Sequence, residues 1–347
     1  MVFTYYLKKY PYKLLWRFMR FASKQPKLAV YIAEPLDYVV LKPILKHLPP
    51  LKYIVNNKKT YNYLNSLEID DVTRFCHPDS VIMCRHATHH FPEEKIYKIG
   101  FRHGAYHFKS FAGKDYYNAF NVYFMTSQKE VQLAEELGIV SAKSIGFPKL
   151  DPAFDGSINA ELLDSYLTKA NFDKNKKTII FSSTWDGSGM SAVEKWAGLL
   201  ANYSKKYNVL VTLHPWVTQK YVKIIKSSSN IYLIEEPDVL PWLMLADVMV
   251  ADTSSIIAEF CALDKPIITF KVTQGARLVP EVVKIIRDIS YQIDDASELD
   301  DALQQAIANP NEKSDERKKA NQIIFDSLDG KAGIKAAYEI KKLLNLR

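Results

Sequence analysis

The sequence predicts an α/β protein made of two Rossmann-like domains, their mostly parallel sheets facing each other across a cleft. Three observations predict it. At 347 residues the chain is long for one compact core. From residue 28 onward, short apolar runs alternate with helical stretches, the pattern of layered α/β domains. A stretch rich in Pro, Gly, Asp and Asn, from Gly146 to Asn175, separates two such alternations and reads as a linker. The expected divisions are a basic amphipathic segment at 1–27, Rossmann-like domains at 28–150 and 151–330, and a C-terminal helix at 331–347 that is free to return to the first domain.

Composition narrows the class. Hydrophobic residues make up 48% and charged residues 24%, as in folded soluble proteins. No run approaches the ~20 apolar residues that span a bilayer. The three cysteines, Cys76, Cys84 and Cys261, are odd in number and far from any C-x-x-C spacing, so neither a disulfide framework nor a zinc site follows. A reducing, cytoplasmic setting is expected. The net charge is +7, and Lys8, Lys9, Lys13, Arg17, Arg20, Lys24 and Lys27 lie in the first 33 residues with no acid among them. The rest of the chain is balanced, which argues against a nucleic-acid-binding face within the folded domains.

Residues 3–24 read as an amphipathic helix. Lys13, Arg17, Arg20 and Lys24 fall on one stripe, with Leu14, Leu15, Phe18, Phe21 and Ala22 largely on other faces. Tyr10, Tyr12 and Trp16 are suited to headgroup level. The expectation is attachment to the inner face of the cell membrane, each basic residue near anionic lipid adding about 1 kcal/mol. The plainer alternative is a first helix packed on the body with a solvated basic edge. Basic residues interrupt every apolar run, so it is not a secretory signal.

Strands are expected at Leu28–Ala33, Lys52–Val55, Ser80–Cys84, Tyr97–Phe101 and Val122–Thr126 in the first half. The second half predicts Thr178–Ser183, Val209–Leu213, Ile231–Leu233, Val248–Ala251 and Ile267–Phe270. Helices are expected at Gln128–Leu137, Ser191–Ser204, Trp216–Ser227, Val239–Leu245, Ser255–Leu263 and Ser297–Ala308. Strands spaced by such helices imply βαβ units and parallel pairing. Ligands of such sheets bind beyond the carboxyl ends of the strands.

Four strand ends carry small, polar or titratable residues: Arg102-His103-Gly104, Thr184-Trp185-Asp186, His214-Pro215 and Asp252-Thr253-Ser254-Ser255. The last begins a helix, where free N–H groups and the positive dipole end stabilise a phosphate. Plain N-capping by Asp252 or Thr253 is the structural alternative. Glu259, four residues after Ser255, is within reach of a ribose hydroxyl. His214, held by Pro215, is placed to neutralise phosphate charge as a nucleotide leaves. His103, before a glycine that permits close approach, suits a general base on an incoming hydroxyl. His86, His89, His90 and His107 match no zinc spacing, and there is no Asp-x-Asp for a divalent ion, so no metal is expected. Gly187-Ser188-Gly189 reads as a phosphate nest or a turn.

These blocks resemble the CDP-glycerol glycerophosphotransferases of teichoic-acid and capsule synthesis, enzymes of the GT-B fold. The resemblance rests on His103-Gly104 followed by Lys109 and Gly113-Lys114-Asp115, and on Gly146-Phe147-Pro148-Lys149-Leu150-Asp151. Ser183-Thr184-Trp185, Leu213-His214-Pro215, Asp252-Thr253-Ser254-Ser255 and Asp329-Gly330-Lys331-Ala332 continue it in family order. It departs where the family carries arginine after Thr-Trp, here Asp186, and in lacking a proline before the first loop's lysine.

The resemblance implies transfer of glycerol phosphate, or a related polyol phosphate, from CDP-glycerol to an acceptor hydroxyl on a glycan or lipid-linked polymer, releasing CMP without metal or cofactor. It makes 28–150 the acceptor domain and 151–330 the donor domain. It implies His103 and His214 as the catalytic pair. Thr184, Asp252, Thr253, Ser254, Ser255 and Glu259 become donor contacts, and Arg102, Gly104, Lys109 and Lys114 acceptor or phosphate contacts. Two other readings stand beside it: a GT-B transferase using a CMP-sugar, and a catalytically silent membrane-bound scaffold.

Overall fold

The computed structural model describes residues 2–22, 28–105, 111, 113–272 and 279–346. Lys24, Lys27, His107 and Lys109, and the side chains of residues 2–8, lie outside what it describes. The chain divides into two compact units: residues 1–103, 111–151 and 329–347 form one, and residues 104–110 and 152–328 the other.

In the first unit the described strands are β1 Leu28–Ile32, β2 Lys52–Val55, β3 Val72–Thr73, β4 Ser80–Met83, β5 Tyr97–Phe101, β6 Val122–Met125 and β7 Ala142–Ser144. They form one sheet in the order β3-β2-β1-β4-β5-β6-β7, parallel throughout. β1, β4 and β6 are buried along their whole length, as strands covered on both faces by helices must be. Each strand predicted for this half is present. The edge strands β3 and β7 were not anticipated, because two or three half-exposed residues carry no period to read.

Gly100 in β5 meets the ring of Tyr123, whose hydroxyl donates to the Phe101 carbonyl. A Cβ at Gly100 would stand 2.2 Å from Tyr123 Cδ2. The buried ring has nowhere to retreat. Gly100→Ala is therefore expected to destabilise the protein by ~1–3 kcal/mol through overpacking beneath the strand that leads to His103. A urea titration checks this, and an unchanged midpoint would refute it.

In the helix Val2–Ala22, three members of the basic stripe are matched by acids of the same unit. Arg17 pairs with Glu93, Arg20 with Asp79, and Lys13 with Glu94. Arg20 also donates to the His77 carbonyl. Tyr12 and Trp16, expected at headgroup level, donate to the carbonyls of Cys76 and Pro78, and Trp16 is only 7% exposed. The outward face is apolar: Tyr10, Leu14, Phe18 and Phe21 follow one another at helical spacing, and Phe21 is 97% exposed.

The C-terminal segment belongs to the first unit. Asp151 accepts from the amides of Ala332 and Gly333 at 3.1 and 2.6 Å, satisfying free N–H groups at the start of the helix Ala332–Leu344. Two blocks of the family resemblance, around residues 146–151 and 329–332, thus meet in one structural contact.

The second unit holds β8 Thr178–Ser183, β9 Asn208–Leu213, β10 Ile231–Leu233, β11 Val248–Ala251, β12 Ile267–Phe270 and β13 Ser290–Ile293. Their order is β10-β9-β8-β11-β12-β13, again parallel. Phe181, Trp196 and Leu299 anchor its core, where helices pack on the sheet. The long helix predicted at Ser191–Ser204 is broken into Val193–Trp196, a 3-10 turn and Leu200–Lys206. The predicted linker contains a helix, Ala160–Lys169. Both sheets have the mostly parallel, helix-covered form that the sequence predicts.

Candidate active site

In the first unit, Arg102 and His103 follow β5 directly. Arg102 is buried, 8% exposed, and its guanidinium pairs with Glu130 and donates to the Tyr117 hydroxyl. Glu130 also accepts the amide and hydroxyl of Thr126. Arg102 therefore ties β5 to the neighbouring helix. Water reaches His103, although protein atoms crowd the ring. That lost hydration, followed by the positive charges of Arg85 and Arg102, lowers its pKa to about 4. The ring bonds to the Cys84 carbonyl. A neutral imidazole donating one N–H there presents the other nitrogen as an acceptor.

Arg85 escaped the sequence reading. It follows β4 and donates through Nε to both oxygens of Asp37, at 2.9 and 3.1 Å. Asp37 is fully buried and takes the amides of Ala33 and Glu34 as well. This carboxylate fixes a cation beside His103. No local motif marks the pair, because its members are 48 residues apart.

The other first-unit candidates separate. Lys114 is exposed, and its Cδ lies 3.5 Å from where a Cβ on Gly138 would stand, at the turn leading into β7. That turn is at the amino edge of the sheet, so Lys114 is not brought to His103. His86 packs among Tyr117, Phe120 and Tyr123, stacked on Tyr123 at 5.4 Å. His89 and His90 are exposed in a 3-10 turn. Among the described residues no three His, Cys, Asp or Glu side chains gather as a metal site.

In the second unit the ends of β8 and β11 are bound together by Asp252. Its carboxylate, 1% exposed, accepts the amides of Thr184 at 3.0 and 3.1 Å, Ala192 at 3.1 Å and Thr253 at 2.5 Å. Burial pushes its pKa up to about 6 despite these donors. Asp252 thus organises the turn from beneath, its carboxylate bonded to backbone amides on three sides. Thr184 is likewise buried, with its amide committed to Asp252. Thr253 is half-buried, its hydroxyl 3.5 Å from the Met190 carbonyl. Ser254 is half-buried and Ser255 exposed at the start of the helix Ile256–Ala262, where no side-chain cap forms. The capping alternative holds in part, since the Asp252 carboxylate accepts the amides of Thr253 and Ser254 just ahead of the helix. Glu259 is 4% exposed, one turn further along. Gly104 clusters with this unit, and among the described residues a Cβ there would meet Ser255 Oγ, at 3.6 Å.

His214 follows β9. Its Nδ1 accepts the Trp216 amide at 3.2 Å, which in the neutral ring leaves the proton on Nε2 as a donor. Trp216, 68% exposed, stands edge-on to the imidazole at 5.3 Å and to Trp185 at 5.5 Å. Asp186 accepts the amide and hydroxyl of Thr218 at 2.9 and 2.5 Å, joining the loops after β8 and β9. The residue that departs from the family pattern thus braces the His214 loop. Gly187 makes room for the Trp185 ring, which would lie 2.6 Å from a Cβ. Gly187 and Ser188 form a 3-10 turn that ends at Gly189 in a left-handed conformation, so the stretch is a turn.

Known proteins resemble this chain in sequence and in fold. The teichoic acid poly(ribitol-phosphate) polymerase of Bacillus spizizenii is 26% identical over 56% of this chain and 32% of its own length. TarL, the teichoic acid ribitol-phosphate polymerase of Staphylococcus aureus, is 26% identical over 57% and 36%. The chain spans about a third of the length of these curated relatives. A structure of the wall teichoic acid polymerase TagF superposes with a TM-score of 0.67 over 97% of this chain and 94% of that one, at 15% identity. The S. aureus MnaA–UDP structure does so at 0.65, over 93% and 98%, at 14% identity. At such identities the likeness establishes the fold, which is GT-B-like. Residues 140–340, more than half of the chain, match the family described as CDP-Glycerol:Poly(glycerophosphate) glycerophosphotransferase. His214 and the Asp252–Ser255 turn lie inside this span and His103 precedes it; the chain belongs to that family.

Proposed function

We propose that the protein transfers a polyol phosphate from a CDP-activated donor, CDP-glycerol or a close relative, to an acceptor hydroxyl of a cell-surface polymer. The acceptor oxygen attacks the phosphorus that carries the polyol. The pyrophosphate P–O bond breaks, and CMP departs with the electron pair. His103 takes the hydroxyl proton on its ring nitrogen. His214 donates its Nε2–H to the phosphate that becomes CMP, and Ser254 and Ser255 hold the diphosphate beside it. The observation that carries this reading is the Asp252-centred turn: one buried carboxylate binds the ends of β8 and β11 beside the His214 loop, within the span that matches the family.

The test is CMP release from CDP-glycerol, CDP-ribitol and CMP-sugars, with a membrane extract as acceptor source. Release from a CDP-polyol is expected. Release from CMP-sugars alone would move the protein to the sugar-transferase reading, and no release from any donor would leave the scaffold.

We also infer peripheral attachment to the inner face of the cell membrane, through the apolar stripe Tyr10, Leu14, Phe18 and Phe21 rather than the basic one. No helix among the described residues is long and apolar enough to cross a membrane. A Leu14→Glu, Phe18→Glu double variant removes two exposed apolar side chains, together worth ~3 kcal/mol or more of burial in lipid. Its affinity for anionic vesicles should fall about 100-fold with folding intact. Unchanged co-sedimentation would remove the stripe from the attachment.

A further inference from the structure

Two arginines act on His103, and they are held differently. Arg102 is buried, its guanidinium committed to Glu130 and the Tyr117 hydroxyl. The Arg85 side chain is 35% exposed and meets its carboxylate through Nε alone, at 2.9 and 3.1 Å from the two oxygens of Asp37. Among the described residues its Nη1 and Nη2 donate to nothing, and water reaches them. Asp37 lies in the first turn of the helix Pro35–Leu45, where it also accepts the amides of Ala33 and Glu34, each at 3.0 Å. A carboxylate anchored in this way fixes the guanidinium and leaves both Nη groups for another acceptor. Asp37 offsets one charge, so what the pair offers is aimed donors and not surplus charge.

The place of these donors says what they meet. β1, β4 and β5 are parallel neighbours, so Asp37, Arg85 and His103 follow three adjacent strands at one carboxyl edge. Met83 stands in register with Gly100, which sets the chain at Arg85 beside the chain at Arg102, strands being ~4.8 Å apart. The His103 ring bonds to the carbonyl of Cys84, the residue just before Arg85. Of the charges around that ring, Arg85 acts on it most strongly. Two N–H groups of one guanidinium suit two oxygens of a phosphate, bound side by side. A polyol carries its hydroxyl and its phosphate ester a few carbon atoms apart, a span that neighbouring strand ends match.

We propose that Arg85, steadied by Asp37, binds the acceptor: its two Nη groups donate to the phosphate ester of the polyol whose free hydroxyl meets His103. The inference rests on the transferase reading, which supplies the acceptor hydroxyl. The same phosphate ester occurs in a polyol-phosphate chain and in a phosphatidylglycerol headgroup, and the experiment separates the two.

Full-length protein is titrated calorimetrically with a synthetic tri(glycerol phosphate), and separately with phosphatidylglycerol vesicles. Arg85→Gln and Arg85→Lys are compared with wild type. The lysine can still pair with Asp37 but has no second edge, so it loses the ligand without orphaning the buried carboxylate. Lys95→Gln removes an exposed cation ahead of β5, at the opposite edge of the sheet. The oligomer's affinity should fall about tenfold or more in both Arg85 variants and hold within about twofold in Lys95→Gln. In CMP release from CDP-glycerol, the acceptor KM of Arg85→Lys should rise by the same factor with kcat within about threefold of wild type. A loss confined to vesicles keeps the phosphate contact and assigns it to a lipid headgroup. Affinities within about twofold of wild type in both arms overturn the proposal, as does a fall in kcat at unchanged acceptor KM, which would make Arg85 a brace for His103. Oligomer binding that depends on Arg85 in a protein that releases no CMP from any CDP-polyol keeps the contact and defeats the transferase reading instead.

Discussion

Replacing His103 with alanine is expected to lower turnover by ~10²–10⁴-fold while the protein still binds its CDP-activated donor. The geometry around the ring gives the reason. Lost hydration and the charges of Arg85 and Arg102 hold its pKa at about 4, so the imidazole is neutral at pH 7 and able to take a proton. Its bond to the Cys84 carbonyl orients the ring. Turnover should therefore fade on acidification near pH 4 to 5, not below pH 6.5 as for an ordinary histidine. The same shift acts on stability. Below pH 6.5 the unfolded chain binds a proton that the folded one refuses until about pH 4, so acidification through that window costs stability. His103→Gln should flatten this contribution as well as abolish the rate. Near-normal turnover in His103→Ala would remove the residue from the mechanism.

The second large effect belongs to Asp252. Asp252→Ala leaves the amides of Thr184, Ala192 and Thr253 without their acceptor in a buried place, at ~1–3 kcal/mol each before relaxation. Against a total stability of ~5–15 kcal/mol, that is enough to threaten the second unit. Asp252→Asn keeps one acceptor oxygen and should be milder. Asp252 titrates at about 6 when folded, against 3.8 ordinarily, because burial outweighs its amide donors. Between pH 4 and 6 the folded state therefore binds the extra proton, and on this group alone stability falls as pH rises. Urea titrations of both variants across that range are the check. A fully stable Asp252→Ala would show that the turn is held by other contacts.

The strands were legible in the sequence because a parallel sheet buries both faces of its strands, and a run such as Thr178–Ser183 is visible without its partners. The strand ends were legible for the same reason, since His103, His214 and Ser255 follow directly from where the runs stop. The roles of neighbouring residues were not. Arg102 and Asp252 have the chemistry of ligands, yet one is held by Glu130, 28 residues away, and the other by Thr184 and Ala192, 68 and 60 residues away. Arg85 and Asp37 went unnoticed because neither stands in a motif.

From the sequence alone came the order of strands and helices, the histidines and serines at strand ends, and the family blocks in their order. These are local patterns, written by the two- and 3.6-residue periods of strand and helix. Tertiary structure alone decided which face of the first helix meets the protein and which carboxylates brace loops. An amphipathic helix specifies two faces but not their neighbours. Glu93, Glu94 and Asp79, some 60 to 80 residues further on, drew the basic stripe inward and turned Leu14 and Phe18 out.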